Sequence, residues 1–435
     1  MRALLLADMC NPEWASVPRF GHALAKAIVD RVDEATVVTN VHNRAALETS
    51  GIGDARLEFV DTALLARPLE KASLLLRGGR TLGWSTLTAF SYPSYLAFEW
   101  LAWRRTRADL ATGRYDVVHR VTPLSPSLPS PMATWSPVPF VIGPVNGGLP
   151  WPAAFRGYQL REREWLRWSR ALRRWLPYYA SGYRGASAIL AGFSHTSEGL
   201  PRAVRDRTLH FSDVGFDPEV FRPPADRRPG ARVSVLFAGR LVPGKCADVL
   251  LDAFAGSALL RQQRLLIAGA GPERERMDRL IHEHGLSGTV TMLGWVRDMA
   301  RLMRETEVFA FPSVHELGGG VVLEAMASGM ACVVVDHGGP RHYVAPGCGV
   351  KIRCGTRGEL VESYRRELEG LVRDVDRRRR ISVAAHRHVS SRYSWAAKAG
   401  QVALVYEWVT GRRSRRPPVD LVDADLGADA GGSET

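Results

Sequence analysis

Short apolar runs rich in branched residues alternate with helix-period segments along most of this chain. In the first half the runs are RALLLA (2–7), EATVVT (34–39), YDVVHR (115–120) and PFVIGP (139–144). Segments such as FGHALAKAIVDRV (20–32), with apolar positions three and four apart, separate them. A second series occupies the other half: VSVLFAGR (233–240), QRLLIAGAG (263–271), TVTMLGW (289–295), EVFAFPS (307–313) and ACVVVDHGG (331–339). Strands alternating with helices predict α/β architecture with parallel sheets. Between the two series, residues 216–232 are dense in Pro and Arg and read as a linker. The simplest architecture is two doubly wound domains in tandem, each with its ligand crevice beyond the carboxyl ends of the strands. Val402, Val405 and Val409 recur at helical spacing in 394–409, so a last helix is expected to pack on a domain surface. Beyond Gly411 the sequence turns from arginines to acids with almost no apolar content, which predicts a disordered tail.

Length and composition agree with this picture. A chain of 435 residues exceeds one ordinary domain, and 46% hydrophobic with 24% charged residues is a globular composition. MRALLLADMC reads as a first strand, since its apolar run is too short for a signal peptide. The longest apolar stretch, 86–103, is interrupted by Pro93 and Glu99 and does not predict a spanning helix. Five scattered cysteines without a Cys-x-x-Cys pair argue against a disulfide framework or a zinc site and favour a reducing cytoplasm. The net charge of +13 favours anionic partners, yet the basic residues are dispersed, a poor footprint for nucleic acid.

The chemistry concentrates in SVHELGGGVVLEAMASGMACVVV (313–335). A strand should precede its three glycines and a helix should come after them. Such a turn presents free N–H groups and a partial positive charge, which suit a phosphate. Glu316 and Glu324 stand on either side of the glycines, with no cation among Glu324's helical neighbours. A buried unpaired carboxylate is costly, and ligand hydroxyls would relieve it. An exposed glutamate at a helix start is the plainer alternative for Glu324, and on the residues alone both stay open.

This stretch resembles the Glu-(seven residues)-Glu signature of retaining family 4 glycosyltransferases, and EAMASGMACVVV is similar to that family's continuation of the signature. FAGRLVPGK (237–245), with Arg240 and Lys245, resembles the family's donor-phosphate segment, and LLIAGAGPERERM its next strand, turn and helix. CNPEWASVP, YDVVHRVTPLSPSLPSP and PFVIGPVNGGLPWP resemble the acceptor half of a bacterial subgroup associated with polysaccharide assembly. The resemblance implies the GT-B fold, two Rossmann-like domains facing across a cleft. It places an acceptor domain at 1–215, a nucleotide-sugar donor domain at 216–393, a helix at 394–411 returning to the first domain and a disordered tail at 412–435. It implies a hexosyltransferase that moves sugar from a nucleoside-diphosphate sugar to an acceptor hydroxyl with retention.

The residue roles are implied in the same way. Glu316 holds donor-sugar hydroxyls and Glu324 the ribose, while Arg240, Lys245 and the amides of Gly318, Gly319, Gly320 and Val321 meet the diphosphate. Fixed cations and amides then stabilise the departing diphosphate, so neither a metal nor any cofactor beyond the co-substrate is expected. Asp374-Val-Asp376 and Asp423-Ala-Asp425 match a metal-binding Asp-x-Asp only superficially. His119 has two readings, a cleft residue touching donor or acceptor and a structural histidine closing a strand, because Val121 replaces the second histidine of His-x-His. Asn146, Gly147 and Gly148 line the acceptor side. Trp295 either flanks the nucleobase or belongs to the core. Two further departures are the loop 8–21, which lacks paired glycines, and Arg341-His342, which replace an acid after DHGGP.

Two other classes explain less. An NAD-dependent oxidoreductase needs a Gly-x-Gly-x-x-Gly turn, but ADMCNPEW comes after the first strand and GAGPER lacks the third glycine. A basic nucleic-acid-binding protein leaves Glu316 and Glu324 without a purpose. The expected partners are a nucleotide sugar and a glycan or lipid-linked acceptor, with no nucleic acid. The segment 161–179 sets tryptophans on one helical face and arginines on the other. It reads either as a helix lying on the inner, anionic face of the cell membrane or as one packed on the first domain.

Overall fold

The computed structural model describes residues 1–64, 66, 68, 84–162, 175–225 and 232–423. It divides into two compact units. The first comprises Met1–Gly148, Glu164–Gly215 and Trp395–Thr435; the second comprises Leu149–Arg163 and Phe216–Ser394.

Among the described residues the first unit holds seven parallel strands: β1 (Arg2–Ala7), β2 (Glu34–Asn40), β3 (Arg56–Val60), β4 (Val117–Thr122), β5 (Phe140–Val145), β6 (Ala188–Ala191) and β7 (Thr208–His210). Their order is β3-β2-β1-β4-β5-β6-β7. Side chains alternate across the sheet. Leu5 therefore enters a core with the helix Val17–Val29, while Leu4 and Leu6 enter another with Tyr95 and Phe98 of the helix Trp84–Ala111. Because both faces are covered, the strands read as continuous apolar runs. Each fully buried leucine contributes about 1.5–3 kcal/mol. Glu99, which interrupts the longest apolar stretch, is buried and accepts hydrogen bonds from Tyr95, Ser130 and the Met132 amide. Among the described residues, no helix is long and apolar enough to cross a membrane.

Among the described residues the second unit holds six parallel strands: β8 (Ser234–Ala238), β9 (Arg264–Ala268), β10 (Val290–Gly294), β11 (Val308–Phe311), β12 (Ala331–Val335) and β13 (Val350–Ile352). Their order, β10-β9-β8-β11-β12-β13, reverses direction between β8 and β11. That junction is the topological switch point, where the loops leaving the two strands part to opposite sides and leave a crevice.

The structure revises some expectations and not others. The segment Leu149–Arg163, assigned by sequence to the first domain, packs with the second unit. The helix Trp395–Val409 belongs to the first unit, where Val402, Val405 and Tyr406 join the core of Leu5. The tail is ordered beyond its expected start. The His210 N–H at the free edge of β7 donates to the Val419 carbonyl at 2.6 Å, and Leu421 is fully buried in the same core. An edge strand's unpaired amides and one apolar side chain outweigh the polar composition around them. Residues 424–435 and 226–231, and most of the amphipathic pattern at 161–179, lie outside the described residues.

His119 is corrected as well. It sits within β4, wholly inaccessible, with Nδ1 2.7 Å from the Tyr406 hydroxyl and Nε2 2.6 Å from the Gly143 carbonyl. A neutral ring satisfies both contacts by donating from Nε2 to Gly143 and accepting at Nδ1 from Tyr406. His119 is a buried tie between β4, β5 and the last helix, with no face toward solvent. Burial pulls its pKa from the ordinary 6.5 down to about 4, aided by Arg120 and opposed by the Gly143 bond. Between those values the unfolded chain binds more protons than the folded one. Stability is therefore full above pH 6.5 and falls as pH drops toward 4, by about 3 kcal/mol for this group. The His119→Gln variant should be less stable than wild type at pH 7, with the gap narrowing at pH 4.5, as read from chemical denaturation at both pH values.

Candidate functional site

Two loops meet at the switch point of the second unit. One leaves β8 through Gly239 and Arg240, turns over Pro243–Lys245 and enters the helix Ala247–Ala255. The other leaves β11 at Phe311, passes Glu316 and the glycines, and enters the helix Gly320–Ala327. The Gly244 carbonyl ties them by accepting from the Val314 amide at 3.0 Å and the Ser313 hydroxyl at 3.2 Å. Across this join the Lys245 ammonium pairs with the Glu316 carboxylate, and both side chains are largely buried. The sequence around Glu316 offers no cation; the partner comes from 71 residues earlier.

Glycine is needed here for geometry. Gly319 has φ +78°, and a Cβ on it would lie 3.1 Å from Glu316 Cγ and 3.0 Å from Pro340 Cγ. The helix therefore begins directly against Glu316, and its first amides have no partners inside the helix. The Gly339 N–H donates to the Glu316 carbonyl at 3.0 Å and fixes that backbone. A cation, a carboxylate and the amide end of a helix thus share one spot, a setting for an anionic group that also carries hydroxyls.

The structure distributes the sequence-predicted residues unevenly. Lys245, Glu316, Gly318, Gly319, Gly320 and Val321 come together. Glu324 is half-buried about one turn into the same helix, and Arg240 is exposed on the segment leading to Lys245. Trp295 comes directly after β10, the outermost strand on that side, and is 73% exposed, so it is not a core tryptophan. Asn146, Gly147 and Gly148 belong to the first unit at the carboxyl end of β5. The Asn146 amide donates to Asp213 at 2.7 Å, and the Thr196 hydroxyl donates to the Gly147 carbonyl at 2.9 Å. His119 lies in that unit's core. Asp374 serves as a cap, accepting from the Arg377 amide at 2.7 Å at the start of the helix Val375–Tyr393.

Sequence reasoning missed the contribution of Leu149–Arg163. Trp151 stacks on His315 with ring centroids 4.3 Å apart and planes 12° apart. The Leu149 and Pro150 carbonyls approach His315 Nε2 at 3.4 Å and His337 Nε2 at 3.0 Å. Glu162 accepts from the Gly244 amide at 2.6 Å. Beneath, the Tyr158 hydroxyl donates to Asp248 at 2.8 Å, and Arg276 and Arg357 each reach the same carboxylate at 3.1 Å. Burial raises the Asp248 pKa, but Arg357 and Arg276 outweigh it and hold the carboxyl below its usual range. The one available signal was the density of Trp and Pro in LPWP, which marks a fixed loop but not the surface it docks on.

Residues 223–388 match the family described as glycosyl transferases group 1. This part of the chain is a group 1 glycosyltransferase domain. The chain is 30% identical over 225 residues to a GDP-mannose-dependent alpha-mannosyltransferase of Mycobacterium tuberculosis (strain CDC 1551 / Oshkosh), covering 50% of this chain and 54% of that protein. It is 34% identical over 239 residues to the D-inositol 3-phosphate glycosyltransferase of Stackebrandtia nassauensis, covering 50% and 52% respectively. The chain thus spans about half the length of the curated relatives it matches. Solved structures extend the likeness of fold. Anabaena Alr3699/HepE in complex with UDP superposes with TM-score 0.61 at 18% identity, covering 93% of this chain and 99% of that one. Sucrose-phosphate synthase from Thermosynechococcus elongatus gives 0.61 at 18%, covering 95% and 100%. The two parallel-sheet α/β units are therefore those of a two-domain glycosyltransferase fold, and the group 1 domain carries the Lys245–Glu316 site.

Asp248 fastens the missed segment to this domain. The Asp248→Asn change removes a buried charge facing two arginines and should cost about 3 kcal/mol of stability. Limited proteolysis should show faster cleavage around 149–162 in this variant than in wild type.

Proposed function

We propose that the chain transfers a sugar from a nucleoside-diphosphate sugar to an acceptor hydroxyl, with retention of anomeric configuration and without a metal or cofactor. The observation that carries this reading is the pairing of Lys245 with Glu316 at the amide end of the helix Gly320–Ala327. A leaving diphosphate gathers negative charge as the glycosidic bond breaks. Lys245, Arg240 and the amides from Gly318 to Val321 supply fixed positive ends for that charge without having to reorganise. Glu316, adjoining Lys245, accepts from hydroxyls of the donor sugar, and Glu324 takes the ribose hydroxyls. Trp295 offers an exposed ring beside the base.

On this reading the turn Asn146–Gly148 of the first unit recognises the acceptor. The acceptor is a glycan, a lipid-linked acceptor or a small molecule; the relatives are named as an alpha-mannosyltransferase and a D-inositol 3-phosphate glycosyltransferase. Transfer takes place in the cytoplasm, at the inner face of the membrane when the acceptor is lipid-linked. The reading includes no nucleic-acid partner.

The two carboxylates should separate kinetically. Ribose changes little between ground and transition state, so Glu324→Gln should raise the donor KM and weaken nucleoside diphosphate binding more than it lowers kcat. The sugar ring gains positive character, so Glu316→Gln should chiefly lower kcat. Its effect on free nucleoside diphosphate should be small or favourable, because Lys245 is released from its carboxylate. Arg240→Ala should cost on the order of 10²–10³-fold in rate. Turnover should survive a strong chelator; loss in chelator with recovery on adding manganese contradicts the metal-free step. Wild-type kinetics in both glutamate variants would remove the basis of the assignment.

A further inference from the structure

Two adjacent hydrogen-bond donors at the switch point each hold a carboxylate of the chain itself. The Gly244 N–H donates to Glu162 at 2.6 Å, and the Lys245 ammonium holds Glu316. The fit at Gly244 is close: a Cβ there would stand 2.7 Å from the same Glu162 oxygen and 2.9 Å from the Trp151 ring. Glu316 belongs to the glycine loop of the site. Glu162 comes from the end of the helix Arg156–Arg161, in the segment borrowed from the first half of the sequence. A carboxylate oxygen on a turn amide has the charge and acceptor chemistry of a phosphate oxygen.

We propose that Glu162 is a built-in competitor for the diphosphate, which engages the Gly244 amide only by displacing the Glu162 carboxylate. The inference rests on the nucleotide-sugar reading above and extends it to the exchange of ligand and product. Without such a competitor, a turn with a lysine and several free amides would hold the nucleoside diphosphate product tightly and slow turnover at release. With it, each departing phosphate oxygen is replaced by an internal anion, so the amide is not left bare. The rest of the segment is held independently of Glu162, by the Trp151–His315 stack and the Tyr158–Asp248 bond. Glu162 can therefore swing away while the segment stays docked.

The test is calorimetric titration of the full chain with UDP and with GDP, using uridine and guanosine as phosphate-free probes. In Glu162→Gln the charge is lost while an acceptor for Gly244 remains. This variant should bind whichever diphosphate the wild type binds roughly tenfold more tightly, with nucleoside affinity unchanged. Product inhibition by the same diphosphate should deepen in parallel. Glu162→Ala provides the same readout without the glutamine amide, and melting curves confirm the fold of both. Diphosphate affinity that is unchanged or weaker in the folded variants overturns the competitor role while leaving the nucleotide reading standing. Failure of wild type and variants alike to bind either diphosphate overturns both.

Discussion

The site depends on one constraint, that a lysine and a glutamate removed from water must answer each other's charge. Lys245 and Glu316 lie on loops that leave different strands, and each would be costly to bury alone. Their pairing ties the turn after β8 to the glycine loop after β11 and holds the amide end of the helix Gly320–Ala327 beside both. The sheet makes this possible because its order reverses between β8 and β11, so the two loops part there and leave a crevice. Glycines at 319 and 338 let the backbone close on Glu316, and the glycine at 339 lets it close on the Leu317 and Gly318 carbonyls, where side chains would collide.

The pair also shapes the chemistry. An ammonium already neutralised by a carboxylate attracts a diphosphate less than a bare one, and the Gly244 amide is likewise engaged by Glu162. On the proposed reading, ligand binding at such a site is an exchange of anions more than a filling of empty donors. Such exchange would keep the Gly244 amide and the Lys245 ammonium satisfied with and without the nucleotide and would temper affinity for the leaving group. The dense ionic contacts of Asp248 with Arg276 and Arg357 serve a different end, fixing the segment that carries Glu162 and Trp151.

Much of this was legible in the residues. Doubly covered parallel strands leave unbroken apolar runs, so β1, β2, β4, β5 and β8 to β12 stood out. Shorter or more polar strands such as β3 (Arg56–Val60) and β7 (Thr208–His210) did not. The glycine loop was readable because strand, glycines, helix and carboxylates lie within one stretch. Pairings across long separations were not: Lys245 with Glu316, Glu162 with Gly244, and Tyr406 with His119 are set by topology and leave no local pattern. His119 was misplaced for a related reason. A histidine in a strand looks the same in sequence whether its ring meets a ligand or a buried tyrosine on a helix 287 residues later. The ordered tail through Leu421 shows composition being overruled by one edge strand.

The central claim is that Lys245 is the cation that receives the diphosphate. Its most direct test is the affinity of Lys245→Met and wild type for UDP and GDP, measured beside uridine and guanosine on folded protein. Loss of a charge-assisted contact at a largely buried site predicts diphosphate binding weaker by roughly tenfold to a hundredfold, with nucleoside binding unchanged. Equal diphosphate affinity in the two proteins would contradict the account.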